Sequence, residues 1–385
     1  MLLVLLLLAL PALAQTSKPP LVVLLGGGDA AAWQDQCRRR GWQSIEPWSE
    51  TAGKSMDDRV AVLPAKVDEA LRRLGADEAR VYLIGQGQEA PAVFYIASRI
   101  PGVWAAAVAA GGSPRPAMDS NRLFGANTTN LPVLWLAADK SGDALGRKLS
   151  AAGFNLEWRV EPEAKLSEVF DWLTTHSREA YPATADCETG SKLFPHCYWV
   201  EMTGFDPAER NDVLDSTRVP PVGSGAALAI GPFGLKADAP GPGVLVAWLP
   251  EKYGGPLKMG DRITELGGKE VRDGAHYAEM MDQMTEEKPV VVMVARGKQR
   301  LRQETKIVFP RREELVTARA RARYLPDMQE VEVISRALTQ MKLMLPAAWL
   351  PAKISWNGTD VAKAQAAGCW LLEEQKELLS AKRCE

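Results

Sequence analysis

The stretch Val81-Tyr82-Leu83-Ile84-Gly85-Gln86-Gly87-Gln88-Glu89 decides the fold of the N-terminal half of this chain. Its first four residues predict a buried strand, its glycines predict a tight turn, and the following Ala90 to Arg99 has helical spacing. An apolar strand that turns directly into a helix is typical of a parallel sheet with helices on both faces. The stretch therefore predicts an α/β architecture.

The same alternation of apolar strands and helical patterns continues along the first 180 residues. Leu21 to Leu25 is a continuous apolar run that ends at Gly26-Gly27-Gly28-Asp29. Further strands are predicted at 81–84, 105–110, 132–137 and near 155–160, with helices around 57–74, 90–99 and 142–152. This order predicts a doubly wound parallel sheet over residues 18–183.

In their order, these pieces resemble the α/β-hydrolase fold, in particular its phospholipase/carboxylesterase group. The resemblance rests on the glycine-rich stretch after the first strand, the turn at 85–89, and the segments 101–108, 131–135 and 151–159. It implies a nucleophilic serine in a Gly-x-Ser-x-Gly turn, beside backbone N–H groups that stabilise an oxyanion. This sequence has Gly87 at that position, and glycine has no side-chain oxygen.

The resemblance also implies positions for the other two members of the catalytic triad. Asp139 is at the position of the acid, but the loop 161–165, where the family has its histidine, contains none. The nearest histidine, His176, is at the far end of the next predicted helix. We therefore predict a hydrolase-like domain without the catalytic Ser and His, with no catalytic residue, no cofactor and no metal site.

A second resemblance, to bacterial-type PDZ domains, covers residues 225–311. The run from Pro256 to Val271, PLKMGDRITELGGKEV, matches the family pattern x-L-x-x-G-D-x-I-x-x-x-x-G-x-x-V. The resemblance implies a small β-barrel module that binds polypeptide C-termini or extended segments by adding them as a strand to a sheet edge.

The same resemblance implies a set of peptide-binding residues. Pro232-Phe233-Gly234-Leu235 fits the carboxylate-binding loop, and a predicted helix from His276 onward carries Tyr277, Met280, Met281 and Met284 at helical spacing. We predict that the ligand contacts Phe233, Gly234, Leu235, His276 and Met280. Because no Lys or Arg lies just ahead of Phe233, carboxylate capture is expected to be weak, and internal strand-like ligands remain an alternative.

The N-terminus and the cysteines indicate an exported protein. Residues 1–14 are almost all apolar and end in Ala12-Leu13-Ala14, which is typical of a signal peptide, and no later run is long enough to span a membrane. Cys187 with Cys197 and Cys369 with Cys384 are predicted to form two local disulfides, which suit the periplasm or the extracellular space. Cys37 is expected to be a buried thiol.

The remaining segments predict a small β domain that the PDZ-like module interrupts. A connector at 184–224 includes a predicted strand at 197–202, and period-two alternation recurs at 315–324, 331–335 and 341–345. We expect these strands to form a β-sandwich whose first strand lies in the connector and whose remaining strands lie in 312–385. The tail from Val361 to Lys382 is predicted to be one amphipathic helix.

These patterns favour a recognition protein over an enzyme. The 46 basic and 48 acidic side chains nearly balance, and no basic block interleaved with aromatic residues indicates a nucleic-acid partner. The leading hypothesis is an exported pseudo-hydrolase that binds peptides through its PDZ groove. Two alternatives remain open: an atypical hydrolase that uses Asp139 with Glu89, and an accessory protein that binds a small acyl or glycan ligand in the residual pocket.

Overall fold

A computed structural model describes residues 18–26, 30–51, 54–140, 142–161, 165–209, 211, 213–236, 239–310 and 316–384. The predicted signal peptide, residues 1–14, lies outside this set. The chain divides into two compact units. Unit 1 takes the residues up to 113, then 124–217 and 318–385, and unit 2 takes 114–123 and 218–317.

The first part of unit 1 is a six-stranded parallel sheet in the order β2-β1-β3-β4-β5-β6. The strands are β1 (Leu21–Leu24), β2 (Gln43–Ile45), β3 (Val81–Gln86), β4 (Ala106–Ala110), β5 (Val133–Ala137) and β6 (Leu156–Val160). The helices of this stretch are α1 (Ala30–Arg39), α2 (Met56–Ala61), α3 (Leu63–Leu74), α4 (Ala90–Arg99), α5 (Arg115–Asp119), α6 (Gly142–Ala151) and α7 (Leu166–Thr174). Of these, α5 belongs to unit 2. The predicted α/β class is confirmed.

The central strands of this sheet are buried because most of their side chains are small or apolar. Every residue of β1, β4 and β5 is buried, as are the first five residues of β3. Burial of this apolar surface, at about 25 cal/mol per Å², is the main stabilising contribution to the sheet.

After the sheet, the chain forms β7 (Thr184–Thr189), β8 (His196–Cys197) and β9 (Val200–Phe205), and then enters unit 2. The strands of unit 2 are β10 (Ala227–Leu228), β11 (Gly234–Lys236), β12 (Val244–Trp248), β13 (Arg262–Leu266), β14 (Lys269–Glu270), β15 (Lys288–Arg296) and β16 (Gln299–Val308), and its longer helix is α8 (Gly274–Asp282). They form one sheet in the order β10-β16-β15-β13-β12-β11, with β14 paired to β13. Therefore β11 is an edge strand.

Back in unit 1, the last strands are β17 (Ala318–Leu325), β18 (Glu330–Arg336), β19 (Leu338–Leu345), β20 (Ala352–Trp356), β21 (Thr359–Ala364), β22 (Gly368–Gln375) and β23 (Leu378–Arg383). They complete two five-stranded sheets, β21-β20-β18-β17-β7 and β23-β22-β19-β9-β8. The two sheets bury their inner faces in one apolar cluster, so they form a β-sandwich. Because β7 pairs with β17 and β9 with β19, residues 218–317 interrupt the sequence of this sandwich.

The cysteines behave as predicted. Cys187 is bonded to Cys197 and Cys369 to Cys384, with Cα–Cα distances of 5.9 and 5.3 Å, so both disulfides are confirmed. Cys37 on α1 is free and fully buried, and burial raises the pKa of its thiol to about 12. At that pKa the thiol stays protonated at neutral pH, which leaves it inert as a nucleophile.

The predicted terminal helix is wrong. Residues 359–383 contain three strands: β21 pairs antiparallel with β20 in one sheet, and β22 pairs antiparallel with β23 in the other. The Cys369–Cys384 disulfide links β22 to the residue after β23. Pairing of β22 with β19 buries Trp370 and Leu372 in the sandwich core. Tertiary pairing thus overrides the local helical pattern.

Candidate functional site

The turn at Gly87 has the geometry of a tight strand-to-helix connection. β3 ends at Gln86, Gly87 has φ +58°, and a single 3₁₀ turn leads into α4. A Cβ atom on Gly112, which follows β4, would lie 2.0 Å from the carbonyl oxygen of Gly87. A Cβ on Gly85 would lie 2.7 Å from the carbonyl oxygen of Glu89. Only glycine at 85 and 112 allows this close approach, whereas a Cβ on Gly87 would meet nothing within 4 Å.

Two tryptophans hold the polar side chains on either side of Gly87. Trp33 Nε1–H donates to Gln86 Oε1 at 2.8 Å, and Trp48 Nε1–H donates to Glu89 Oε2 at 2.7 Å. The guanidinium of Arg59 lies 3.6 Å from the centroid of the Trp48 ring. Burial lowers the pKa of Arg59, and the charge of Glu89 opposes that shift. The Glu89 carboxylate therefore lies in one cluster with Trp48 and Arg59.

The predicted triad positions lie in separate loops of unit 1, and residues 162–164 of the loop predicted for the histidine lie outside the described residues. Asp139 is exposed in the turn after β5, and its carbonyl oxygen accepts from the Gly142 N–H at 3.3 Å. His176 Nδ1 lies 2.9 Å from the carbonyl oxygen of Trp172, and His196 Nε2 lies 3.9 Å from a Glu201 oxygen. Within the described ranges, these contacts engage neither histidine with the Gly87 turn.

Unit 2 has a groove of about 420 Å³ between the edge strand β11 and the helix α8. Phe233 and Leu235 form its strand side, and Tyr277, Ala278 and Met281 form its helix side. Burial raises the pKa of Tyr277, so its phenol stays neutral. The remaining lining residues are Arg115, Asp119, Gly223 to Leu228, Gly231, Pro232, Val244, Gly274 and Asp282.

The groove includes part of the predicted peptide-binding set. Phe233 and Leu235 line it, and Gly234 lies between them on β11, where a Cβ would be 2.9 Å from the Cβ of Trp248. This close approach is why glycine is needed at 234.

His276 and Met280 lie outside the groove. The His276 backbone N–H donates to Asp273 Oδ1 at 2.8 Å, and its Nδ1 accepts from the Arg272 N–H at 3.2 Å, so it belongs to the N-cap of α8. Met280 lines a different cavity of about 550 Å³, with Gly267 and Gly268. The reason is helical geometry, since positions 277, 278 and 281 share one face and Met280 is about 100° from Met281.

Sequence reasoning missed the charged end of the groove. Arg115 and Asp119 on α5 belong to unit 2, although more than 100 residues separate them from β11. Arg115 pairs with Asp119 and with Asp282, the last residue of α8. No local pattern marks these residues, because only the tertiary structure brings α5 to the groove.

Two general features complete the description of possible sites. In the ranges given above, no cluster of three or more His, Cys, Asp or Glu side chains has a geometry suited to a metal ion. None of the helices in the described ranges is both long and apolar enough to cross a bilayer.

Comparisons with known proteins give structural neighbours only. No family model matches the chain, and no curated protein gives a significant match. Among solved structures, it is similar to a thermostable esterase at 17% identity and a TM-score of 0.30, over 42% of this chain and 56% of that one. It is also similar to esterase PE8, at 17% identity and a TM-score of 0.30, over 43% of this chain and 96% of that one. A variant of SOBER1 from Arabidopsis thaliana gives 13% identity and a TM-score of 0.31, over 41% of this chain and 99% of that one.

Proposed function

We propose that this protein is an exported, PDZ-type peptide-binding protein whose hydrolase-like domain is not catalytic. The observation that carries the proposal is the groove between β11 and α8, because it combines an edge strand with an apolar wall. An extended segment can add to β11 through main-chain hydrogen bonds and place alternate side chains against Tyr277 and Met281. The ligand class is an extended polypeptide segment or a polypeptide C-terminus.

Three observations support the non-catalytic part of the proposal. Gly87 offers no nucleophile, Glu89 is bonded to Trp48, and the histidines of unit 1 have other partners. Acyl transfer in this fold requires a nucleophile with a base in hydrogen-bond reach. The two disulfides support export, since such bonds persist in oxidising compartments.

A matched pair of tryptophan substitutions on α8 tests the groove. Ala278 lines it, and Ala275 is exposed one turn earlier on the same helix. Ala278→Trp is expected to fill the groove and weaken binding at least tenfold, whereas Ala275→Trp should leave affinity unchanged. The measurement is fluorescence anisotropy of labelled extended peptides, selected from an array, with the full chain. Equal affinities for both variants, or no saturable peptide binding by the wild type, would refute the proposal that this groove binds peptides.

The alternative of an atypical hydrolase is tested on the same preparation. We expect no turnover of short-chain p-nitrophenyl esters above the buffer rate. Ester turnover that disappears in Glu89→Gln or Asp139→Asn would instead establish that the protein is an atypical hydrolase.

A further inference from the structure

The charged side chains of the groove are concentrated at its α8 C-terminal end. Among the lining residues they are one cation, Arg115, and two anions, Asp119 and Asp282, which gives this end a net charge of −1. The C-terminus of a helix adds a partial negative charge of its own, and Asp282 is the last residue of α8. The electrostatic potential here therefore favours a cationic group over an anionic one.

The two aspartates differ in their remaining capacity to accept hydrogen bonds. Asp119 Oδ1 accepts from the N–H groups of Val222 and Gly223 at 2.7 and 2.8 Å, and its Oδ2 accepts from Arg115 Nε at 3.2 Å. Asp119 thus holds the segment that leads into the groove. Its role is to position the backbone there.

Asp282 accepts fewer hydrogen bonds than Asp119. Its Oδ2 pairs with Arg115 Nη2, while its Oδ1 accepts a single long bond, 3.4 Å, from the Ser224 N–H among the described residues. The two side chains are about equally exposed, at 31% for Asp282 and 32% for Asp119, so the difference between them lies in their hydrogen bonds. Because an ionised carboxylate has about four lone-pair sites, Oδ1 can accept a further donor without breaking the pair with Arg115.

We propose that the groove selects extended segments that carry a Lys or Arg side chain facing Asp282, and that it disfavours a free terminal carboxylate at this end. This inference rests on the proposed function and specifies its ligand class. A carboxylate would approach two aspartates, and Pro232 contributes no backbone N–H to the adjoining loop. Leu228, Phe233 and Leu235 provide an apolar wall for side chains that, in a strand, recur two residues from the basic one.

The test uses one extended apolar peptide with Lys, Gln or Glu at a single position, acetylated and amidated, and the Gln version also with a free carboxylate. Binding to the full chain is measured at low salt and at physiological salt. The wild type is expected to bind the Lys peptide about fivefold more tightly than the Gln peptide, with the Glu and free-carboxylate peptides weaker still. Salt should reduce the preference for Lys.

Substitutions on α8 separate the charge of the groove from the rest of the helix. Asp282→Asn is expected to abolish the preference for Lys over Gln, and Asp282→Glu should retain the preference. Glu279→Gln is the matched control and should retain it as well, because Glu279 is exposed on α8 and does not line the groove. An unchanged thermal midpoint shows that each variant is folded.

The possible outcomes separate this inference from the proposed function. Peptides that bind without a preference for Lys, or with a preference for Glu or for the free carboxylate, would overturn the inference and leave the peptide groove intact. Absence of binding by every peptide would overturn both.

Discussion

Asp261, from the Gly-Asp pair of unit 2, shows how one residue fixes a turn. Its side chain is 1% exposed and accepts from Arg296 Nε and Nη2, both at 2.8 Å, and from the Lys258 N–H at 2.7 Å. Burial by itself raises the pKa of Asp261, but the bonds from Arg296 and Lys258 outweigh burial and hold that pKa below its usual range. Gly260, at φ +87°, supplies the left-handed backbone that places Asp261 there.

We expect Asp261→Asn to destabilise unit 2 by about 2 kcal/mol, because a neutral amide in this buried position cannot replace the charged acceptor of the bonds from Arg296 and the Lys258 N–H. The folded pKa of Asp261 is lower than the unfolded value of about 3.9, so its stabilisation is fully present well above pH 4 and disappears as the pH falls through both values. Urea unfolding, monitored by amide hydrogen exchange of residues 256–296, is the measurement. As the pH falls from 6 to 3, the wild type should lose stability more steeply than Asp261→Asn.

The control for this prediction is Glu304→Gln. Glu304 is an exposed partner of Arg302 in the same unit, and its loss should cost less than about 0.5 kcal/mol. Equal effects of the two substitutions, or parallel pH profiles, would contradict the structural role of Asp261.

The Gly87 turn is a second feature that depends on single residues. The sequence showed the glycines of this turn, but not the close packing of Gly85 and Gly112 around it. That packing depends on the approach of β4 to the turn, which only the tertiary structure shows.

At the scale of elements, the C-terminal hairpin explains the one helix that was predicted wrongly. β22 and β23 are joined by the two residues Lys376 and Glu377, with φ +51° and +67°. A two-residue turn with both φ values positive is normally marked by Asn-Gly or Asp-Gly. Lys-Glu gives no such signal, and both residues favour helices, so the sequence pattern indicated a continuous helix.

Replacement of Lys376-Glu377 by Asn-Gly is expected to stabilise the chain by about 1 kcal/mol, because the new residues adopt positive φ at lower cost. Urea unfolding monitored by tryptophan fluorescence is the measurement, with Lys376→Ala/Glu377→Ala as the control. The alanine variant should show no gain. A loss of stability in the Asn-Gly variant would argue against the hairpin.

At the scale of the whole molecule, the described elements divide between an α/β and β-sandwich unit and an inserted sheet. The five cysteines, and hence both disulfides, belong to unit 1. A disulfide that closes a loop of about 15 residues contributes about 3 kcal/mol. Reduction of the disulfides should therefore destabilise unit 1 more than unit 2.

Reduction is expected to raise amide exchange in unit 1, above all in the strands at 184–205 and 368–383, while leaving 288–308 of unit 2 unchanged. Hydrogen-exchange mass spectrometry with and without reductant is the measurement. Cys37→Ser is the control and should respond to reductant as the wild type does, because its thiol forms no disulfide. An equal response of both units would contradict the assignment of the disulfides.

The sequence by itself determined the α/β class, the turn at Gly87, the two disulfide pairs and the helix that carries Tyr277, Met280 and Met281, because these follow from local patterns of hydrophobicity, glycine and cysteine. Only the tertiary structure decided that the tail forms strands, since strand pairing there outweighs helical preference. It also decided which face of α8 meets the groove, and it brought Arg115 and Asp119 to its end. The physical reason is that these contacts join residues that are not neighbours in the sequence, such as Gln340 with Glu373 and Arg115 with Asp282, so no local pattern indicates them.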